Sequence, residues 1–475
     1  MEQHAKKFDI AVIGSGPGGY PAAIKAAQSG KTVALIEAKE TGGTCLNRGC
    51  IPSKTLIASA EMLHKIQDAG NFGIEVGSIS FDYSKMVDRK DGVVNQIRKS
   101  LEGLIASNKI KMFRGYGKLT SSKTIKIIGK DTLEITADKI IIATGSEPRN
   151  IPAFPFDYKK IHDSTSLLEM RKLPKKLAII GGGVIGCEFA SLYSMLGVEV
   201  TILEMMPRII PMEAEIVSSA LDKAFKNKGI HIEIGAAVQE IDTSGKGVTI
   251  KLAEGRTITA DIALVAVGRK LNTSDIGLEK VGVQVYENGM IAVNDKMETN
   301  IPGIYAIGDI ASKWWLAHVA THQGVIAASN ATGHPMRMNY LSVPSVIFTH
   351  PEIATVGLSL EQALKNGYKA VSGSFPFQAL GKSQASLQTD GFAQIILDKT
   401  TGQVLGAQVI GHEASTLIAE MTVVIANELT VECITETIHA HPTIAEAWME
   451  AAFLGEDAPL HWPPKAKKNH DKREK

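Results

Sequence analysis

Two cysteines separated by four residues are the side chains of this chain best suited to redox chemistry. Cys45 and Cys50 lie in the segment GGTCLNRGCIPSK, which ends at Lys54. Two sulfurs at this spacing can close a disulfide where a distorted first helical turn brings their Cα atoms within about 7 Å. A helix predicted over 52–66 would present its positive N-terminal end to the pair, and Arg48 and Lys54 would add positive charge. The pattern therefore predicts a redox-active pair.

Two other interpretations of this pair stay open, namely buried structural cysteines and ligands of a zinc ion. No further Cys or His lies nearby at the spacing of zinc ligands, which disfavours the second. The chain has 4 cysteines in all, too few for a secreted disulfide scaffold. We predict that the remaining two, Cys187 and Cys433, are ordinary buried cysteines.

A segment able to bind a nucleotide lies just ahead of the redox pair. The β-branched run 8–13 predicts a buried parallel strand, and it leads directly into a G-x-G-x-x-G pattern formed by Gly14, Gly16 and Gly19. An alanine-rich helix follows, and the next strand ends at Glu37. The glycines of such a turn allow a tight bend, close approach of the backbone to a pyrophosphate, and close packing of helix on strand. The helix N-terminus faces the phosphates, and the acidic residue accepts the ribose hydroxyls.

The same arrangement recurs later in the chain. A strand leads into a second G-x-G-x-x-G pattern, and the next strand ends at Glu204, at the same offset from the last glycine as in the first copy. One such pattern is weak evidence, but two with strand, helix and acid in the same order predict two doubly wound nucleotide-binding domains. A carboxylate at Glu204 would repel a 2′-phosphate, so NAD is favoured over NADP. The glycines of this copy are Gly181, Gly183 and Gly186.

Composition restricts the classes of function. The formal net charge is +1, so no overall charge attracts nucleic acid or an anionic membrane. No apolar run reaches the length of a membrane span. The polar segment 1–7 leaves no room for a signal peptide ahead of the first strand, and we expect a cytoplasmic location.

These motifs together resemble those of the pyridine nucleotide–disulphide oxidoreductases over nearly the whole chain. The segment GGTCLNRGCIPSK is highly specific for the redox-active segment of that family. The run that ends at Asp309 resembles its second FAD fingerprint, and Leu-Ala-His at 316–318 resembles the segment lying against the flavin ring. HAHPTIAE at 439–446 resembles its catalytic base motif, which implies that His441 is the base and that Glu446 orients it.

The resemblance also implies a reaction and its partners. His441 would take a proton from a dihydrolipoyl thiol, the thiolate would attack Cys45, and Cys50 would be released as a thiolate beside the flavin. Electrons would pass to FAD and then to NAD. A homodimer is implied, in which His441 reaches the redox pair of the other subunit. The expected partners are the lipoyl domains of the acyltransferase component of a 2-oxo-acid dehydrogenase complex, or a glycine cleavage complex.

Further cofactor contacts are implied by residues at positions matching the family's motifs. Lys54 and Glu188 resemble its charged pair near the flavin. The positions that resemble its other FAD contacts are Gly117, Thr144, Gly145 and Ala317. The resemblance also implies NAD contacts at Val238 and Gly268, whose match to the family's motifs is weaker.

The predicted fold is α/β, with two doubly wound Rossmann-like nucleotide-binding domains and a C-terminal α+β dimerisation domain. The domains are an FAD-binding domain over 1–150, an NAD-binding domain over 151–275, a central domain completing the FAD site over 276–345, an interface domain over 346–462, and a disordered tail over 463–475. Two alternatives to the proposed activity are another disulphide reductase of the same family and a redox-sensing scaffold subunit. Glutathione-type reductases would have cations after the second acidic position, and the cysteine pair with His441 argues against a scaffold.

Overall fold

The computed structural model describes residues 6–463. The first residues of the polar N-terminal segment, and the predicted tail apart from Pro463, lie outside the described residues. The strands within the described range are, in chain order, β1 (Lys6–Ile13), β2 (Val33–Glu37), β3 (Lys111–Arg114), β4 (Tyr116–Ser121), β5 (Thr124–Ile128), β6 (Thr132–Ile142), β7 (Ser146–Pro148), β8 (Ile161–His162), β9 (Lys176–Ile180), β10 (Glu199–Glu204), β11 (His231–Ile234), β12 (Val238–Asp242), β13 (Val248–Leu252), β14 (Thr257–Ala260), β15 (Ile262–Val265), β16 (Arg269–Leu271), β17 (Ile304–Ala306), β18 (Ser345–Ile347), β19 (Glu352–Gly357), β20 (Ala370–Pro376), β21 (Gly391–Asp398) and β22 (Val404–Gly411). The α-helices are α1 (Gly19–Gln28), α2 (Gly43–Arg48), α3 (Cys50–Gln67), α4 (Tyr83–Ser107), α5 (Ser164–Leu168), α6 (Val184–Met195), α7 (Glu215–Asn227), α8 (Leu278–Val281), α9 (Ala317–Ala331), α10 (Leu360–Lys365), α11 (Gly381–Ala385), α12 (Ala414–Ala426), α13 (Glu432–Thr435) and α14 (Glu446–Gly455).

The first glycine motif, Gly14–Gly19, follows β1, an inner strand of a seven-stranded sheet. Its strand order is β3-β2-β1-β6-β5-β4, and β17 also pairs with β6. The strands β1, β2, β3, β6 and β17 pair in parallel, while β4 and β5 are antiparallel. The chain leaves β1 towards β2 and returns on the other side as β6, and doubly wound sheets bind ligands at such a reversal.

Strand β1 is buried on both faces, which explains its continuous apolar run. Ile10 and Val12 belong to a core with Ala26 of the helix α1. Ala11 and Ile13 belong to the core of the opposite face. The glycine motif therefore extends from a strand that packing holds on two sides.

Parallel strands also precede and follow the second glycine motif, Gly181–Gly186. The strand β9 pairs in parallel with β15, and β15 pairs in parallel with β8. The strand β10 pairs in parallel with β11 along the segment that ends at Glu204. The helix α6 begins at Val184, inside the motif.

The C-terminal part forms a five-stranded antiparallel sheet in the order β18-β19-β22-β21-β20. Its core contains Phe375, Phe377 and Trp448, all fully buried. The indole of Trp448 donates a hydrogen bond to the carbonyl oxygen of Leu417 at 3.1 Å, which connects α14 to α12. This core fixes the start of α14, where Glu446 lies.

The chain divides into two compact units. The first contains the chain up to Gly181, Met195–Val200 and Ala237–Asn339, and the second contains Gly182–Ser194, Thr201–Ala236 and the chain from Tyr340. The predicted α/β architecture is confirmed, while the predicted boundaries of the four domains stay a prediction. Within residues 6–463, no helix combines the length and the apolar character needed to cross a membrane.

Candidate active site

The two cysteines lie where one helix ends and the next begins. Cys45 is in α2, Gly49 interrupts the helix, and Cys50 is the first residue of the 18-residue helix α3. The helix therefore begins earlier than the predicted start at residue 52. Cys50 lies at the positive end of a long helix dipole, which favours a thiolate there.

The redox segment lies directly against the first glycine motif. The N–H of Gly42 donates to the carbonyl oxygen of Ser15 at 3.1 Å. A Cβ atom added to Gly43 would lie 2.6 Å from the Cα of Gly16. Because the two turns touch backbone to backbone, a ligand held by this motif would lie beside the cysteines.

Both sulfurs of the pair belong to half-buried residues. A hydrogen bond to Cys50, together with burial, holds the pKa of the Cys45 thiol far above its usual range, and Lys54 opposes this only in part. The protonated form of the Cys45 thiol is therefore favoured when the pair is reduced.

Arg48, which is expected to add positive charge beside the cysteines, has a carboxylate partner. Its guanidinium forms an ion pair and hydrogen bond with Glu40, eight residues earlier in the chain. Burial alone would raise the pKa of Glu40, but the hydrogen bond from Arg48 lowers it below its usual range. Arg48 thus forms an ion pair within the redox segment, and its effect on the thiolate stays a prediction.

Arg269 is a candidate functional residue that the sequence analysis missed. Its Nε donates to Ser146 Oγ at 2.7 Å and its Nη2 donates to the Ser146 carbonyl oxygen at 2.7 Å. Ser146 Oγ in turn donates to the carboxylate of Asp309. Burial lowers the pKa of Arg269, while the negative charges of Asp309 and Cys50 act in the opposite direction. The guanidinium therefore lies in the electric field of the redox sulfur, and its sequence signal is its place directly after Gly268.

The acidic residue of the first motif is held by the motif itself. Glu37 Oε2 accepts hydrogen bonds from the N–H of Ser15 at 2.8 Å and from Ser15 Oγ at 2.6 Å. Glu37 Oε1 accepts from the N–H of Lys39 at 2.7 Å. The carboxylate lies beside the turn that the sequence predicts to bind a pyrophosphate.

The second motif repeats these contacts at equivalent positions. Glu204 Oε2 accepts from the N–H of Gly182 at 2.6 Å, and Glu204 Oε1 accepts from the N–H of Met206 at 2.7 Å. The duplication indicated by the sequence therefore extends to individual hydrogen bonds.

The first glycine of each motif is required by the protein itself. Gly14 and Gly181 have φ of +102° and +104°, a region that disfavours other residues. A Cβ atom would lie 2.3 Å from the carbonyl oxygen of Ala143 at Gly14, and 2.6 Å from that of Ala266 at Gly181. The backbone conformation of the turn therefore requires glycine at both positions.

At the second glycine of each motif, neither the backbone conformation nor a neighbouring protein atom requires a glycine. A Cβ atom on Gly16 would meet no closer protein atom than the Cα of Gly43 at 3.9 Å, and one on Gly183 would meet nothing within 4 Å. Neither residue has a positive φ. The space beside both is open to a ligand, which fits the close approach of a pyrophosphate from FAD or NAD.

This difference predicts opposite outcomes for two alanine variants. Gly16→Ala should fold normally but lose affinity for FAD, because the added methyl group enters only the ligand's space. Overpacking of about 1–3 kcal/mol corresponds to a loss of affinity of roughly 5-fold to 150-fold. Gly14→Ala should instead lower the melting temperature, because its methyl group meets backbone. FAD content of the purified protein and thermal unfolding by circular dichroism measure the two effects, and unchanged FAD affinity in Gly16→Ala would contradict the assignment.

Three other predicted FAD residues surround the turn after β6. Thr144 Oγ1 donates to the carbonyl oxygen of Asn272 at 2.7 Å, and the N–H of Asn272 donates to the carbonyl oxygen of Gly145 at 2.9 Å. Asp309 belongs to the short helical turn after β17, which pairs with β6. These contacts bring the predicted residues to the carboxyl ends of neighbouring parallel strands.

The remaining predicted residues are placed as follows. A Cβ atom on Gly117 would lie 3.0 Å from Cγ2 of Ile13, so packing accounts for this glycine. Glu188 is buried and accepts a hydrogen bond from the N–H of Phe348 at 3.0 Å. The others occupy these positions: Gly19 begins α1, Lys54 lies in the first turns of α3, Gly186 lies in α6, Val238 begins β12, Gly268 precedes β16 and Ala317 begins α9.

The second unit carries the predicted base. His441 Nδ1 lies 2.8 Å from Glu446 Oε1, and the N–H of Thr443 donates to Glu446 Oε2 at 2.8 Å. Burial alone would raise the pKa of Glu446, but these two hydrogen bonds hold it below its usual range. The carboxylate therefore stays ionised and orients the imidazole, whose side chain is 76% exposed.

The first unit contains the cysteine pair, the first glycine motif, Arg269 and Asp309, and the second unit contains His441 and Glu446.

The two other cysteines differ in exposure. Cys187 is buried as predicted, but Cys433 is exposed, so the prediction of a buried Cys433 was wrong. Among residues 6–463, no group of three or more His, Cys, Asp or Glu side chains could hold a metal ion.

Comparisons with known proteins agree with this arrangement. A family model described as pyridine nucleotide-disulphide oxidoreductase matches residues 8–324, and the dimerisation domain of the same family matches residues 343–452. The chain is 53% identical over 461 residues to dihydrolipoyl dehydrogenase of Chlamydia pneumoniae, covering 97% of this chain and 100% of that protein. It is 38% identical over 461 residues to dihydrolipoyl dehydrogenase of Geobacillus stearothermophilus, covering 96% and 98%.

Solved structures give the same result. LpdA from Mycobacterium tuberculosis matches with a TM-score of 0.89 at 30% identity, covering 94% of this chain and 99% of that chain. The HOCl-induced flavoprotein disulfide reductase RclA from Escherichia coli matches with a TM-score of 0.85 at 27% identity, with the same coverage.

Proposed function

Because the chain belongs to the pyridine nucleotide-disulphide oxidoreductase family, we propose that it oxidises dihydrolipoyl groups to lipoyl groups and reduces NAD to NADH. The observation that carries this proposal is the contact between the Cys45–Cys50 segment and the first glycine motif. Relatives named dihydrolipoyl dehydrogenase, up to 53% identical over nearly the full length, support the choice of substrate.

Enzymes of this family use FAD and NAD(H), and the chain offers one glycine motif for each. We assign FAD to the first motif, because the cysteine segment touches it, and NAD to the second. When bound, FAD supplies the chemistry that takes an electron pair from the dithiol and passes it to NAD as hydride, while the protein supplies placement and charge. The residues proposed for FAD are Gly14, Gly16, Gly19, Glu37, Lys54, Gly117, Thr144, Gly145, Glu188, Asp309 and Ala317, and those proposed for NAD are Gly181, Gly183, Gly186, Glu204, Val238 and Gly268.

The cysteines perform thiol–disulfide exchange. A substrate thiolate attacks Cys45 of the oxidised pair, a mixed disulfide forms, and Cys50 leaves as a thiolate. The second substrate sulfur then attacks the mixed disulfide, which releases the lipoyl group and returns the bonding electrons to Cys45. The proton of this second substrate thiol passes to Cys45, whose raised pKa favours its protonated form. The negative charge therefore stays on Cys50, at the N-terminus of α3 and in the field of Arg269.

His441 is proposed to take the proton of the attacking thiol. Its ring contacts Glu446 through Nδ1, so Nε2 is the nitrogen left to meet the substrate. A base with 76% of its side chain exposed has no enclosed site around it within its own unit. The dimerisation domain supports a homodimer, and we propose that His441 completes the site of the other subunit.

An assay of substrates tests the proposed function. NADH should form from dihydrolipoamide and NAD, whereas glutathione and mercuric ion should give no comparable turnover. NADP should replace NAD poorly, because the Glu204 carboxylate would repel its 2′-phosphate. At about 4 Å near a protein surface such repulsion amounts to a few kcal/mol, or roughly 100-fold or more in kcat/KM. A preference for glutathione, or equal use of NAD and NADP, would contradict these assignments.

The natural substrate is proposed to be a lipoyl domain of a 2-oxo-acid dehydrogenase or glycine cleavage complex. We also propose a cytoplasmic location, supported by the bacterial relatives.

A further inference from the structure

His439 is the other histidine of the segment that carries His441. Its side chain is 5% exposed. Its Nε2 lies 3.0 Å from Oε1 of Glu420, a residue of α12, and its Nδ1 lies 3.0 Å from the carbonyl oxygen of Thr437. The imidazole is therefore held between a helix and the backbone of its own segment.

Both partners of this ring are hydrogen-bond acceptors. A carbonyl oxygen and an ionised carboxylate carry no hydrogen, and a neutral imidazole has a single N–H to donate. Both contacts of His439 are complete only when each ring nitrogen carries a proton. In agreement with this geometry, the hydrogen bond to Glu420 outweighs burial and holds the pKa of His439 above its usual range.

The segment 436–445 connects α13 to α14 and forms neither helix nor strand. At its C-terminal end, Glu446 holds Thr443 and His441. Near its N-terminal end, the ring of His439 connects it to α12. The charged groups that act on His439 are Glu420 from α12 and Glu446 from α14. The backbone that carries His441 is therefore held on both sides, by the contact of His439 with Glu420 and by the contacts of Glu446.

We propose that His439 is a positioning residue, an imidazolium that joins Glu420 to the Thr437 carbonyl and thereby fixes the backbone that presents His441 to the substrate thiol. This inference rests on the proposed function, because the position of His441 matters only if His441 transfers the proton. A displacement of about 1 Å from a catalytic position can cost roughly 100-fold in rate.

The arrangement has a defined pH dependence. Because the pKa of His439 is raised in the folded protein, both hydrogen bonds are present at lower pH. One of the two is lost as the pH rises through that raised value, because one nitrogen loses its proton and one acceptor loses its donor. Turnover of dihydrolipoamide should therefore fall on the alkaline side.

Two variants of Glu420 separate this role from a merely structural one. In Glu420→Gln the side-chain amide can donate to Nε2 of a neutral His439, while Nδ1 still donates to Thr437, so both contacts survive at high pH. This variant should keep kcat within about twofold near neutral pH and lose the alkaline decline. Glu420→Ala removes one partner outright and should lower kcat at every pH.

The experiment compares kcat and KM for dihydrolipoamide and NAD across neutral to alkaline pH. The variants are His439→Gln, the two Glu420 variants, His441→Gln, and His412→Gln as a control from the same unit. We expect His439→Gln to lower kcat about 10-fold to 100-fold without changing KM for NAD or the rate of electron transfer from NADH to an artificial acceptor. His412 Nε2 lies 3.6 Å from Oε1 of its neighbour Glu413, outside the segment 436–445, and the His412 variant should match the parent.

The outcomes are distinguishable. This inference would be overturned if His439→Gln kept turnover within twofold of the parent, or if Glu420→Gln kept the alkaline decline unchanged. A large loss in His441→Gln would still support the proposed function. Normal turnover in His441→Gln would overturn the proposed function itself. If His439→Gln fails to fold, the pH profiles of the two Glu420 variants decide the question.

Discussion

Cys45→Ser and Cys50→Ser should each lower NADH formation from dihydrolipoamide by roughly 10⁴-fold or more, as expected when a nucleophile is removed. Serine forms no disulfide, and exchange needs a sulfur as attacker and as leaving group. FAD should remain bound, because the glycine motif that approaches it is unchanged. Steady-state turnover and the flavin absorbance of the purified variants measure the two properties.

Cys433→Ser is the matched control for these variants. Cys433 is exposed and lies in the second unit, so its replacement should leave turnover and flavin content unchanged. Near-normal turnover in Cys50→Ser would refute the proposed route through the pair.

His441→Gln should lower dihydrolipoamide turnover about 10²-fold to 10⁴-fold, the usual contribution of a positioned general base. The amide cannot take a proton from a thiol, while the cysteines and glycine motifs stay intact. The visible flavin spectrum should therefore be unchanged. Steady-state kinetics with dihydrolipoamide, and the rate from NADH to an artificial acceptor as a control, measure the effect.

Glu446→Gln should cause a smaller loss than His441→Gln. It keeps a hydrogen-bond partner for Nδ1 but removes the charge that stabilises a protonated ring. In the parent, the lowered pKa of Glu446 keeps that carboxylate ionised to lower pH than an ordinary glutamate. Its orienting contact is present above that value and is lost as the pH falls through it. A larger loss in Glu446→Gln than in His441→Gln would contradict the assignment of the base.

The sequence predicted the features that depend on local backbone geometry. The glycine motifs and the strands and helices that flank them follow from short runs of residues whose spacing has a steric meaning. The contacts of Glu37 and Glu204 with their own motifs are also local in this sense, since each strand ends beside the turn that the preceding strand forms.

Side-chain partners brought together by the fold were harder to predict. Arg269 contacts Ser146 from a distant part of the chain, and its place directly after Gly268 does not identify Ser146 as its partner. Arg48 lies between the two cysteines in sequence, yet its guanidinium forms an ion pair with Glu40. Proximity in sequence to a sulfur therefore identified neither the partner of Arg48 nor the contact of Arg269.

His439 shows the same limit within a recognised motif. The pattern HAHPTIAE identifies a histidine that faces a carboxylate, but the partner of the first histidine is on α12, outside the motif. The spacing of the motif gives no sign of Glu420.

Alkylation of the cysteines followed by mass spectrometry tests the sulfur pathway most directly. In the oxidised holoenzyme Cys45 and Cys50 should resist alkylation, become labelled after anaerobic addition of one equivalent of dihydrolipoamide, and resist it again after NAD is added. Cys433, which is exposed, should label equally at every stage. Labelling of Cys45 and Cys50 that responds to neither substrate would contradict the account.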